Sequence, residues 1–427
     1  MEQSGPPITF GRPLRAAQFL FSPSYTPLNH GSHGAFPLVV RSHQRALQDA
    51  IEARSDPFLR LTLPSLLLPA RTAAASLLGA PVANTFFIPN ATAGINIVLH
   101  NLTFHPGDVI IYLSCAYKAC INTVLSLSAT TPAIAHRIDL SFPLSPARLV
   151  SLLADAIASL RARGLNPRIA MFDTVATFPG LRLPWESLVA VCRQHDVFSL
   201  VDGAHGIGHI DLRHLHVTKP DFFTSNCYKW LFVPRPCAVL YVAEERKGMI
   251  TRGVPTSTVL VGEGQGLQQL FEGTPAGDPT PYLCVEEAVR WREEVLGGEE
   301  RIREYCFDLA RTGGRLVAKE LGTEVLDDGE MAECCFAMVR LPLSFDSDKE
   351  AGPRRLRAED GPRVVAWITE TLVKDHDTWI PVQYFQGAAW TRLSAQVYLE
   401  IADFEWAARI LKALCNRVMN EEVPERD

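Results

Sequence analysis

Asp202 and Lys229 are an acid and an amine placed to work on one bound molecule. The apolar run 197–201 reads as a buried parallel strand that ends in Asp202, with Gly203 and Ala204 directly after it. A second short strand, 221–224, leads into a polar turn carrying Lys229, so acid and amine stand one strand apart at one rim of a sheet. Open α/β sheets bind ligands at that rim. A carboxylate beside a ring nitrogen and a lysine able to form an imine are the two fixed requirements of pyridoxal phosphate chemistry. The acid keeps the pyridinium charged, which makes the ring an electron sink, and the lysine carries the aldehyde. Taken singly, such an acid can be only a helix cap and such a lysine only a solvated side chain. The pair needs company from the rest of the chain.

The neighbouring elements supply it. Strand 85–88 turns through Pro89 and Asn90 into a helix, and small residues there let free amides meet an anion. Phosphate donors at that turn are the Thr92 hydroxyl and the amides of Ala91, Thr92 and Ala93; the plainer alternative is that Asn90 and Thr92 only cap the helix. Strand 109–113 delivers Tyr117, whose phenol is a proton donor, to the same rim, and strand 169–173 delivers Asp173 and then Thr177. Helices at 144–163 and 184–195 between these strands give the right-handed parallel pattern of an α/β domain. Upstream, an entry helix is expected over 13–25, a Gly-rich turn over 27–34 containing Asn29, His30 and Ser32, and helices over 38–53 and 64–78 joined by a turn. Strand 239–242 should lie toward an edge or begin beyond Pro236. The C-terminal part predicts helices at 282–295, 301–321, 361–374 and 404–419, strands at 336–341 and 379–382, and a charged loop at 346–360.

Composition narrows the partners. At 427 residues with 47% hydrophobic content, the chain can hold one large and one smaller core. A net charge of -6 without a Lys/Arg block gives no electrostatic footprint for nucleic acid or an anionic membrane. No run approaches bilayer-spanning length and the N-terminus lacks a leader pattern, so a cytoplasmic protein with a small-molecule substrate is expected. Ten cysteines without paired zinc-type spacing read as core residues, and no metal site is expected.

Asp202-Gly-Ala-His205, followed by Asn226-Cys-Tyr-Lys229-Trp-Leu, resembles the class V aminotransferase superfamily of fold-type I pyridoxal phosphate enzymes, within its isopenicillin N epimerase-like branch. The loop Asn29 to Gly34, the turn Asn90 to Gly94 and the stretch Arg392-Leu-Ser-Ala-Gln-Val-Tyr398 extend the resemblance over nearly the whole chain. It implies an aspartate aminotransferase-like large domain with a mainly parallel sheet at 29–285, a smaller α+β domain at 286–427, and a segment 1–28 packed with the latter. It also implies that Asn29, His30 and Ser32 close over the substrate, that Tyr117 stacks on the cofactor ring, and that Asp173 and Thr177 border the cofactor. Further implications are that His205 orients the reacting system, that Asn226 and Tyr228 hold the phosphate, and that Arg392 grips the substrate carboxylate; a planar guanidinium suits that task. Thr174 and Ala176 depart from the pattern of the relatives. Thr274 is the residue expected to reach the phosphate of a partner subunit, although an ungapped match brings Ala276 to that position.

The implied protein is a homodimer with shared active sites that removes the α-proton of an amino acid with Lys229. Loss of a β-substituent would then make it a lyase, reprotonation an epimerase, and attack on an electrophile a carbon–carbon bond-forming cyclase of the loline type. Segments 179–185 and 291–294 resemble the fungal hercynylcysteine sulfoxide lyases, which makes a carbon–sulfur β-lyase of secondary metabolism the first expectation. No cysteine lies between Asp346 and Thr391, which argues against a persulfide-forming desulfurase. A homologue that binds cofactor without catalysis is the reading from another class.

Overall fold

The computed structural model describes residues 8–251, 267–272, 277–327, 329–346 and 356–420. Seven strands form the main sheet: β1 (Thr85–Ile88), β2 (Asp108–Leu113), β3 (Ile134–Ile138), β4 (Asn166–Asp173), β5 (Phe198–Asp202), β6 (Phe222–Asn226) and β7 (Ala238–Val242). Their order is β1-β7-β6-β5-β4-β2-β3. β7 runs antiparallel to both its neighbours, and the pairs from β6 through β3 are parallel. Helices cover both faces, so successive residues of β2 divide between two cores: Val109, Ile111 and Leu113 in one, Ile110 and Tyr112 in the other. This is an α/β fold, and the carboxyl ends of β1, β2, β4, β5 and β6 meet at one rim.

A three-stranded antiparallel sheet of Phe336–Arg340, Ala388–Ser394 and Val382–Phe385, with Ala388–Ser394 in the middle, stands beside that rim. Every residue of the middle strand is buried. The N-terminal segment is tied to this part: the Ser394 amide donates to the Leu28 carbonyl at 3.0 Å, the Gly11 amide to Val397 at 2.7 Å, and Arg12 and Arg15 reach Asp403.

Several elements differ from the sequence expectation. The entry helix spans only Arg12–Gln18; Phe19 turns extended, because Phe19 and Phe21 pack their rings on Tyr398 at 4.9 and 5.0 Å. The Gly-rich turn is a helical turn, His30–His33, closed by Gly34 at φ 65°. A Cβ at Gly34 would lie 1.8 Å from the Tyr228 carbonyl oxygen, so only glycine lets this loop rest on the lysine-bearing turn. The expected turn at 54–58 is confined to Arg54; Ser55–Pro57 is helical and continues through a wider turn, Phe58–Thr62, into the helix Leu63–Leu78. The 24-residue run Ser55–Leu78 is therefore long and apolar enough to cross a membrane by length and composition, contrary to the expectation that no run is. One face of it, including Leu67, Ala74 and Leu78, is buried, while Leu61 and Leu68 are exposed. The either/or expectation for strand 239–242 is met by its second alternative: β7 lies inside the sheet and begins beyond Pro236, so the missing N–H takes no ladder bond away. The strand expected at 379–382 begins only at Val382, and 347–355 lies outside the described residues.

Candidate active site

Asp173 and Asp202 are register partners on β4 and β5, each 2% exposed. The Asp202 carboxylate accepts the Ala204 amide at 2.9 Å and the Cys120 thiol at 3.3 Å. Burial raises the pKa of both acids, and the Asp202 charge raises Asp173 further. One Asp173 oxygen, Oδ2, has no hydrogen-bond partner. A buried acceptor left unpaired is costly, so this edge is built to receive a donor.

Lys229 sits on the helical turn Cys227–Trp230 that follows β6. Its Nζ lies 3.2 Å from His205 Nε2, which is also 3.1 Å from the Thr177 hydroxyl. The other ring nitrogen of His205 accepts the Trp230 indole N–H at 3.1 Å. Burial pushes the Lys229 pKa down to about 8 from 10.5, against the opposing pull of Asp202 and with Arg392 adding to the depression. In the cofactor-free chain the amine is reactive only when deprotonated. Reductive methylation of Lys229, followed by peptide mass spectrometry, should therefore rise through a midpoint near pH 8; a midpoint near 10.5 would contradict the buried environment.

Arg392 lies on the middle strand of the small sheet, 2% exposed, with its guanidinium 4.4 Å above the Phe336 ring. Nη1 donates to the Thr177 carbonyl at 2.6 Å, and Nη2 to Asn29 Oδ1 at 3.0 Å and the Ser32 hydroxyl at 3.2 Å. Nε has no partner, and among the described residues no carboxylate forms an ion pair with this side chain. Burial lowers its pKa to about 10, which still leaves it cationic at neutral pH. A dry cation without an anion is a site for one. Thr177 joins the two halves: its carbonyl holds Arg392 and its hydroxyl meets His205.

At the opposite end the helix Ala91–Asn101 presents fewer donors than expected. The Ala91 amide is taken by Asn226 Oδ1 at 2.8 Å and the Ala93 amide by Asn90 Oδ1 at 2.9 Å, because β1 and β6 end close together and both asparagines cap the helix. The Thr92 amide and hydroxyl and the Asn226 side-chain amino group remain for an anion. Tyr228 is half-buried near Tyr117; burial raises its pKa first and Tyr117 second. Tyr117 heads the helix Lys118–Thr130, 45% exposed, with its ring centroid 6.0 Å from Lys229 Nζ.

One expected site residue takes a bracing position instead. His30 is 3% exposed and bonds the Tyr398 hydroxyl through Nδ1 at 2.6 Å, with Trp230 and Phe232 against its ring; it braces the loop while Asn29 and Ser32 touch Arg392. Thr274 lies outside the described residues. Cys120, Trp230 and Phe336 were not expected in the site. Trp230 adjoins Lys229 in the sequence, whereas nothing in the sequence links Cys120 to Asp202 or Phe336 to Arg392.

The residues present fit pyridoxal phosphate. A dry carboxylate at Asp202 suits the ring nitrogen, the unpaired oxygen of Asp173 suits a polar edge, and Thr92, Asn226 and Tyr228 suit the phosphate. Lys229 suits the aldehyde. The sequence profile of the class-V aminotransferase family matches residues 62–294. The chain is 37% identical to the L-cysteine desulfhydrase-like protein lolT1 of Epichloe uncinata over 97% of its own length and 98% of that protein. It is 28% identical to the hercynylcysteine sulfoxide lyase of Schizosaccharomyces pombe over 93% and 96%. Among solved structures, the cystine C-S lyase C-DES in complex with cysteine persulfide shares the fold, with a TM-score of 0.72 across 94% of this chain and 99% of that one at 18% identity. With a family profile over more than half its length and full-length relatives, this chain belongs to the class-V aminotransferases, fold-type I enzymes whose cofactor is pyridoxal 5'-phosphate.

Proposed function

We propose that this enzyme is a β-lyase that breaks a carbon–sulfur bond in an α-amino acid, of the hercynylcysteine sulfoxide lyase type. The observation that carries the amino-acid reading is Thr177, which ties the anion-seeking Arg392 to the His205–Lys229 pair. A carboxylate bound at Arg392 is thereby held at a fixed remove from the amine, which is what an α-amino acid needs. Bound here, the cofactor supplies an electron sink for negative charge at the substrate Cα. Lys229, depressed to about 8, is a base able to take the α-proton near neutral pH. Tyr117, beside Lys229 and open to solvent, is the acid for a departing sulfur.

The carbon–sulfur specificity is supported by two relatives named as a desulfhydrase-like protein and a sulfoxide lyase. All ten cysteines are buried, which removes a mobile thiol nucleophile and leaves direct elimination. A homodimer with shared sites belongs to the proposal, since Tyr117 remains 45% exposed in the single chain.

Tyr117→Phe tests it. The variant keeps the ring and removes the donor, so release of keto acid and ammonia from cysteine conjugates should fall by about 10² to 10⁴. Exchange of the α-proton with deuterated solvent should persist, because that step belongs to Lys229. Wild-type protein that exchanges fast but releases no keto acid from the whole panel would point to the epimerase or the loline-type cyclase instead.

A further inference from the structure

We propose that Trp230 is a positioning residue that fixes which nitrogen of His205 holds its proton, and so determines the hydrogen bond that Lys229 meets. The indole N–H can only donate, and it lies 3.1 Å from His205 Nδ1. Nδ1 is therefore an acceptor, and the proton of the neutral ring sits on Nε2. That nitrogen faces Lys229 Nζ at 3.2 Å and the Thr177 hydroxyl at 3.1 Å. The ring is neutral because burial pushes its pKa well below the usual value, with Lys229, Arg392 and His209 adding to the effect.

An N–H aimed at Nζ can be accepted only by the neutral amine, through its lone pair, and so favours that form. The opposite tautomer would turn a bare nitrogen toward Nζ, accept from the ammonium form and hold the extra proton there. The other groups acting on Lys229 are Asp202, Arg392, Asp173 and Cys120, with the Tyr117 ring above it. Those around His205 are Arg392, His209 and the Phe336 ring. Among the described residues none of these bonds Nδ1, so the tautomer depends on Trp230.

Trp230 is itself held firmly. Its carbonyl accepts Arg292 Nη1 at 2.9 Å, while Nη2 of the same arginine bonds the Gly208 carbonyl at 3.0 Å and Glu299 at 2.7 Å. Its ring stacks on His209 at 4.0 Å. His209 has the opposite tautomer: Nδ1 donates to the His205 carbonyl at 2.9 Å and Nε2 accepts the Cys335 amide at 2.8 Å. Two histidines four residues apart thus carry their protons on different nitrogens, each fixed by a partner that can only donate. This arrangement holds whichever substrate bond the enzyme breaks.

Proton–nitrogen correlation spectra of the full-length chain with isotope-labelled histidine test the assignment directly. His205, identified by its absence in His205→Asn, should carry its proton on Nε2, and His209 on Nδ1. Trp230→Phe keeps a ring against His209 but removes the donor. In that variant His205 should shift toward the Nδ1–H form, His209 should stay unchanged, and the midpoint of Lys229 methylation should rise by about one unit. A wild-type His205 with its proton on Nδ1 overturns the proposal even if the variant fails to fold. A folded Trp230→Phe with an unchanged His205 pattern and Lys229 midpoint overturns it as well, because tryptophan would then be only filling space.

Discussion

Lys229→Ala is expected to lower turnover by about 10⁴-fold, the upper end of what one positioned proton-transfer group contributes, since the same residue is also the anchor for the aldehyde. The side chain is 9% exposed and its depressed pKa arises chiefly from burial, so no other described amine has its environment. Borohydride should fix the cofactor to a peptide containing Lys229 in the wild type, and that label should vanish in the variant. The cofactor should still bind, because Asp202, Thr92 and Asn226 are untouched. A colourless wild-type protein, or a variant turning over at the wild-type rate, would refute the role.

Arg392→Leu should weaken substrate binding on the order of 30- to 5,000-fold, equivalent to about 2 to 5 kcal/mol for the loss of one buried charged partner. The affinity for cofactor should change far less. The change removes the anion site and also strips donors from the Thr177 carbonyl, Asn29 and Ser32. Arg392→Lys should rescue little, because the two Nη atoms reach partners on different segments and a single ammonium cannot span them. Spectral titration with substrate after cofactor saturation measures this. Equal loss of substrate and cofactor affinity would show that Arg392 only braces the fold.

Local chemistry made much of the large domain legible in the sequence. The apolar runs at β2, β4 and β5 have the near-continuous hydrophobicity of strands buried on both faces, and the aspartates that end β4 and β5 mark the ligand-binding rim. Asp202 and Lys229 could be placed one strand apart from spacing alone, and β5 and β6 are indeed adjacent. Resemblance supplied the functional weight of Arg392, which spacing could not place, as it stands more than 160 positions beyond Lys229.

Tertiary structure decided what depends on partners distant in sequence. The Ala91 amide is taken by Asn226, 135 residues away, whereas the Ala93 amide goes to the local cap Asn90 that the sequence already offered. His30 and Ser32 share one loop, yet only Ser32 faces Arg392; the one-turn helix at His30–His33 turns His30 inward against Tyr398. The entry helix stopped early because aromatic packing of Phe19 and Phe21 outweighed their place in a helical pattern. The strand carrying Arg392 was hidden in the sequence, since its alternation is erased when both faces are buried. A tautomer is beyond any sequence pattern. Whether His205 offers Lys229 a proton or a lone pair is settled by the indole of Trp230, and only the folded chain brings that indole to the far nitrogen.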